Sequence, residues 1–137
     1  MAALAGLRFD LRVPSFARTT VERQYAACLD MCEWADGLGF DAIAISEHHG
    51  VADGYMSSPA TLAAAIAART KRVRINIAAV LVPLHDPLRL AEQLAAAAIV
   101  ADGRLSVVAA WAIAPKNSRW PASTERSAAS SSTSTSA

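Results

Sequence analysis

Val73-Arg74-Ile75-Asn76-Ile77-Ala78-Ala79-Val80-Leu81-Val82 is apolar at all but two of its positions. Such a run reads as a third strand, Val73 to Val82, and constrains the fold more than any other stretch. An antiparallel strand with one wet face would alternate. A nearly continuous apolar strand suits a parallel sheet covered on both faces. Parallel neighbours cannot be joined by tight turns, so helical crossovers are expected on either side.

The flanking sequence supplies them. Leu7-Arg8-Phe9-Asp10-Leu11-Arg12-Val13 alternates apolar and charged residues, the pattern of a strand with one buried face, and Pro14 ends it. Thr19 or Thr20 can cap a helix to about Leu38, with Val21, Tyr25, Cys28, Leu29 and Cys32 on one side and Gly37 and Gly39 closing it. A second buried strand follows from Asp41. Ser58 is placed to cap a second helix with Pro59 at its first position, running to about Arg69. Pro83 to Pro87 reads as a loop, Leu88 to about Val100 as a third helix, Asp102-Gly103 as a turn and Arg104 to Ala109 as a fourth strand. Alternating strands and helices define an α/β chain, either an open parallel sheet or a (β/α) barrel.

Composition narrows the function. With 13 basic and 12 acidic side chains the formal charge is +1, which gives no electrostatic reason to expect nucleic acid or an anionic membrane as partner. Cys28 and Cys32 lie one helical turn apart, poor geometry for a disulfide, and read as reduced core residues. The first residues lack a basic segment before a long apolar core, so no signal peptide is expected. No uncharged apolar run is long enough for a membrane span. The expected setting is cytoplasmic.

The second strand runs directly into Ser46-Glu47-His48-His49-Gly50. Ligand sites of parallel α/β proteins lie at the carboxyl ends of the strands. Strand alternation puts Ala42, Ala44, Ser46 and His48 on one side, and Ile43, Ile45 and Glu47 on the other. The small side chains beside His48 leave room for a ligand, and an imidazole there can act as general base or hydrogen-bond donor near neutral pH. Two alternatives stand beside this: the histidines only satisfy loop carbonyls, or they bind metal. Their adjacency departs from the His-Glu-x-x-His pattern of zinc sites, so no metal is expected. His85, between prolines, reads as a loop cap. Arg89 and Glu92 read as a surface helix pair. Neither is expected to carry chemistry.

The ordered motifs resemble the N-terminal part of the bacterial-luciferase-like flavin-dependent monooxygenase family. They are Gly39-Phe40-Asp41, Ser46-Glu47-His48-His49, Ser58-Pro59, Asn76 to Pro83, His85 to Glu92 and Asp102-Gly103-Arg104-Leu105. Together they cover about residues 7–109. The resemblance implies the first four β/α units of a (β/α)8 TIM-type barrel, with flavin at the carboxyl ends of the strands. It implies reduced FMN (a deazaflavin in some branches) and, in the oxygen-using branch, O2 and a small organic substrate. His48 falls on the family's active-site histidine, a catalytic acid/base or flavin contact. Glu47 falls beside it as a cofactor-site residue. Ala78-Ala79 falls where members carry a non-prolyl cis peptide under the flavin ring. A flavin reductase partner and a homo-oligomeric full-length parent follow from the same resemblance, as does the alternative of a deazaflavin-dependent reductase or dehydrogenase.

The chain also departs from that pattern. Ala98 and Ala101 stand where members commonly carry Asp and Ser. From Trp111 the apolar periodicity is lost, and the chain ends in a Ser/Thr-rich run of low complexity, expected to be disordered. We therefore divide the chain into residues 1–110, the N-terminal half of a barrel, and 111–137, a tail outside the family pattern. The genetic code suggests why. Codons formed from the last base of one residue and the first two of the next must give Gly at Trp111-Ala112 and Ala at Trp120-Pro121. The intervening residues permit Tyr-Arg-Pro-Glu-Glu-Phe, close to the family's continuation, so a slipped reading frame near Ala109 is expected. Four strands of an eight-strand barrel have two open edges and an apolar interior facing water. The 137-residue chain alone is expected to bind flavin weakly or not at all.

Overall fold

Thr20 begins the first helix: its side-chain oxygen accepts from the Arg23 amide at 3.4 Å. Helix α1 (Val21–Leu38) ends at Gly39, whose φ of 82° is the left-handed conformation that glycine adopts without a Cβ clash. Gly37 lies inside the last turn rather than closing it. The computed structural model describes residues 4–111. The expectations for 112–137, including disorder of the tail, lie outside the described residues.

The remaining elements are β1 (Gly6–Phe9), β2 (Ala42–Ile45), α2 (Pro59–Arg69), β3 (Arg74–Leu81), α3 (Pro87–Ala101) and β4 (Leu105–Ala110), with a short 3-10 turn at Val82–Leu84. All strand pairs are parallel, in the order β1-β2-β3-β4. Each new strand is added beside the last, and three helices join the four strands, the arrangement of consecutive β/α units of a TIM-type barrel.

Three local expectations need correction. The first strand ends at Phe9 rather than Val13. Leu11 takes φ 56° and turns the chain out of the sheet, and the Val13 amide donates to the Asp53 carbonyl at 2.7 Å instead of to a strand neighbour. Ser58 precedes α2, but its hydroxyl makes no capping bond; Pro59 alone marks that start. Asp86 caps α3, accepting from the Arg89 amide at 3.0 Å. Finally, β3 is sealed on one face only. Ile75, Ile77 and Val80 are buried with Ile43 and Ile45 under Cys28 and Cys32 of α1 and Leu62 and Ile66 of α2. Asn76, Ala78 and Ala79 on the other side are half-buried. In a closed barrel that inner face is filled by side chains from other strands.

Two polar latches lock the end of the sheet where the strands begin. Asp36, buried near the end of α1, accepts from the amides of Lys71, Arg72 and Val73 at 2.7–2.9 Å, fixing the chain before β3. Burial alone would raise its pKa, but the three amides outweigh that and hold it below the ordinary value. Arg104 donates to the carbonyls of Ala67, Thr70 and Val73 and to the Thr70 hydroxyl, satisfying the C-terminal carbonyls of α2 from the start of β4. Cys28 and Cys32 are buried and free. Hydrogen bonding with Cys28, together with burial, pushes the Cys32 thiol up, so it stays protonated.

Candidate active site

At the opposite end, regular pairing of β2 stops at Ile45, and Ser46 and Glu47 are both buried. The Glu47 amide donates to the Ala79 carbonyl at 3.2 Å. Its side chain turns toward the end of β3, where Oε2 accepts from the Leu81 amide at 2.7 Å. Its other oxygen, Oε1, contacts Nε2 of His49 at 2.6 Å and Nε2 of His85 at 2.7 Å. A carboxylate only accepts, so both rings donate from Nε2 and keep Nδ1 as their second nitrogen.

Glu47 therefore ties together the ends of β2, β3 and the turn before α3. The peptide Ala78–Ala79, which leads into the first of these backbone partners, is cis, and the pairing of β3 with β4 shifts register there. The cis geometry expected from the resemblance is present. His85, expected to be a loop cap without further role, instead joins this cluster. No sequence-local signal links residues separated by 38 positions. The available signal is topological: both follow the carboxyl ends of adjacent parallel strands, where loops converge.

His48 projects from the same segment into different surroundings. Its backbone amide donates to the Met56 carbonyl at 2.9 Å. Its ring stacks on Tyr55, with centroids 3.7 Å apart and planes at 12°. Tyr55 is covered in turn by Arg12, whose guanidinium carbon lies 5.2 Å from the ring centre, and Arg12 pairs with Asp53 at 2.6 Å. The His48 pKa lies below the ordinary value. Burial is the main cause; Asp10 opposes it, and Arg8, His49 and Arg12 reinforce it. At neutral pH the ring is therefore predominantly uncharged and able to accept a proton. Sequence reading found His48 but missed Tyr55 and Arg12, which no periodicity marks.

The small side chains on the inner face are where alternation puts them: Ala42, Ala44 and Ala78 are half-buried beside Asn76. The Ser46 hydroxyl is buried without a hydrogen-bond partner in the protein. Among the described residues no group of three or more His, Cys, Asp or Glu side chains is placed to hold a metal ion. None of the described helices is long and apolar enough to cross a membrane.

A family profile described as luciferase-like monooxygenase matches residues 9–124. The chain is similar to 4-hydroxyprotoasukamycin monooxygenase of Streptomyces nodosus subsp. asukaensis, at 35% identity over 47% of this chain and 18% of that protein. It is also similar to the oxygenase component of flavin-dependent trigonelline monooxygenase of Acinetobacter baylyi, at 32% identity over 64% of this chain and 24% of that protein. One similar solved structure is the oxygenating constituent of 3,6-diketocamphane monooxygenase from Pseudomonas putida in complex with FMN. It has TM-score 0.75 and 25% identity, over 86% of this chain and 32% of that one. Another is the monooxygenase RslO1 from Streptomyces bottropensis, with TM-score 0.70 and 35% identity, over 78% of this chain and 32% of that one. The chain thus spans about a quarter or less of the length of these two curated relatives.

Proposed function

The chain belongs to the luciferase-like monooxygenase family, and we propose that its strand ends form one wall of a site where reduced FMN and O2 oxygenate a small organic substrate. The observation that carries this reading is that adjacent parallel strands bring to one end a half-buried His48, whose pKa burial lowers, and the Ala79 carbonyl held by the Glu47 amide. When bound, the flavin supplies the reducing electrons and the site of oxygen activation.

The residues present fit a flat ring. Ala42, Ala44, Ala78 and Ala79 give a low inner surface, and the orphaned Ser46 hydroxyl is a hydrogen-bonding group awaiting a partner. His48 accepts or returns a proton at its ring nitrogen beside this surface. Glu47 holds the backbone of Leu81 and, through His49 and His85, the neighbouring loops. Its part is to fix the wall on which the ring lies.

The rest of the reading concerns the whole protein. A separate flavin reductase would supply reduced flavin, in keeping with a relative named as an oxygenase component. The free, buried cysteines suit a reducing, cytoplasmic setting. The full-length parent would be a homo-oligomer. We place the domain boundary near residue 110 and attribute 111–137 to a slipped frame. The nucleotide sequence tests this: the shifted frame should encode the remaining strands of a barrel, and a frame without them refutes it.

The functional test uses the chain in which residues 1–110 continue into the shifted-frame translation. Supplied with reduced FMN, it should consume O2, and His48→Ala should lower the rate by about 100-fold or more, the range of a lost general base. Binding and turnover with a deazaflavin alone would move the assignment to a reductase or dehydrogenase. The 137-residue chain by itself should bind flavin weakly, because a ring on this open sheet is covered on one side.

A further inference from the structure

His48 does not stand alone against its loop. Its imidazole, the Tyr55 ring and the Arg12 guanidinium form three successive layers. The middle layer is fixed from both sides in sequence. The carbonyl of Asp53 accepts from the Val13 amide at 2.7 Å, and the carbonyl of Met56 accepts from the His48 amide at 2.9 Å. Met56 is fully buried, which anchors the segment C-terminal to Tyr55. The Asp53 carboxylate takes both Nε and a terminal nitrogen of Arg12 on one oxygen, each at 2.6 Å. The loop after β2 is thereby fastened to the loop after β1, with the tyrosine ring between them.

We propose that Tyr55 is a positioning residue for His48, stacking on the imidazole, and that the Arg12–Asp53 pair holds Tyr55 in place. The proposal rests on the reading of His48 as the acid–base group, but the stacking itself can be tested without flavin. Near-parallel rings at 3.7 Å leave no room for water between them. Tyr55 thus covers one imidazole face and restricts the ring to orientations that keep the stack. Burial of the ring also disfavours charging His48 and is the main cause of its lowered pKa. Water is excluded from one face, and Arg12 and Arg8 add positive charge nearby; Asp10 acts in the opposite sense, and His49 adds to the repulsion when protonated. The depressed pKa agrees with this arrangement.

The test is imidazole NMR of the 137-residue chain, following the ring protons of His48 through a pH titration. In the unaltered chain those protons should be shifted upfield by the Tyr55 ring current. Tyr55→Phe should keep both the shift and the low pKa. Tyr55→Ala should abolish the shift and, by exposing that face, move the His48 pKa up toward the ordinary 6.5. Arg12→Ala should broaden or reduce the shift by loosening the tyrosine. Should Tyr55→Ala fail to fold, Tyr55→Leu provides the same loss of ring current with the loop volume kept. Absence of the upfield shift in the unaltered chain overturns the proposal, and so does a folded Tyr55→Ala or Tyr55→Leu chain whose His48 signals are unchanged. Loss of flavin-dependent turnover with an intact stack would instead count against the functional reading alone.

Discussion

The two ends of the sheet use a buried carboxylate differently. Where the strands begin, Asp36 binds three backbone amides, and Arg104 binds three backbone carbonyls and the Thr70 hydroxyl. Where the strands finish, Glu47 binds one backbone amide and two imidazoles that are each 23% exposed at the side chain. A group bonded to backbone has one structural state to hold. A carboxylate shared by two partly exposed imidazoles instead ties side chains of the segments after β2 and β3 together at the surface. The first end fastens the units together; the second is the end at which TIM-type barrels generally build their sites.

This contrast can be broken by substitution. The largest effect is expected for Asp36→Ala, which strands three amides and should cost about 3 kcal/mol in urea unfolding, without moving the His48 titration. Arg104→Ala should cost about 2 kcal/mol by uncapping α2, again with the histidines unaffected. Glu47→Gln should cost less, about 1.5 kcal/mol, because His49 and His85 can turn to water, but it should shift the NMR signals of both rings. A Glu47 variant that lost more stability than Asp36→Ala would erase the distinction between the two ends.

The pH dependence sharpens it further. The folded pKa of Asp36 is depressed from 3.8, so its contribution is fully present above that unfolded value and is lost as pH falls through the lower folded one. Asp36→Asn should remove this acid-side step. The folded pKa of His48 is also depressed, from 6.5. For this base the neutral form is favoured in the folded state, so its term is present above 6.5 and is lost as pH falls through the lower folded value. His48→Ala should flatten that mild step and, by removing the stack on Tyr55, cost about 1 kcal/mol.

Much of the frame was legible because it follows local rules. The apolar run of β3, Pro59, Gly39 and the Asp102-Gly103 turn each announce an element by their own chemistry. Glu47 and His48 were legible as a strand end in a parallel sheet. What escaped was set by distance in sequence. Nothing local says that Leu11 leaves the sheet at positive φ, because the reason lies at Asp53. Nothing local joins His85 to Glu47 or Arg12 to Tyr55 to His48. These contacts exist only once parallel pairing has brought three loops to one end. The cis peptide at Ala78–Ala79 was expected from family resemblance alone; two alanines in a strand carry no signal of it.

The central claim is that these strand ends are one wall of a flavin site that the rest of a barrel completes. The direct measurement is an FMN titration, followed by flavin fluorescence, of the 137-residue chain beside the chain continued in the shifted frame. Weak binding or none is expected for the first and tight, stoichiometric binding for the second. Tight stoichiometric binding to the 137-residue chain, or no binding to the continued one, would contradict it.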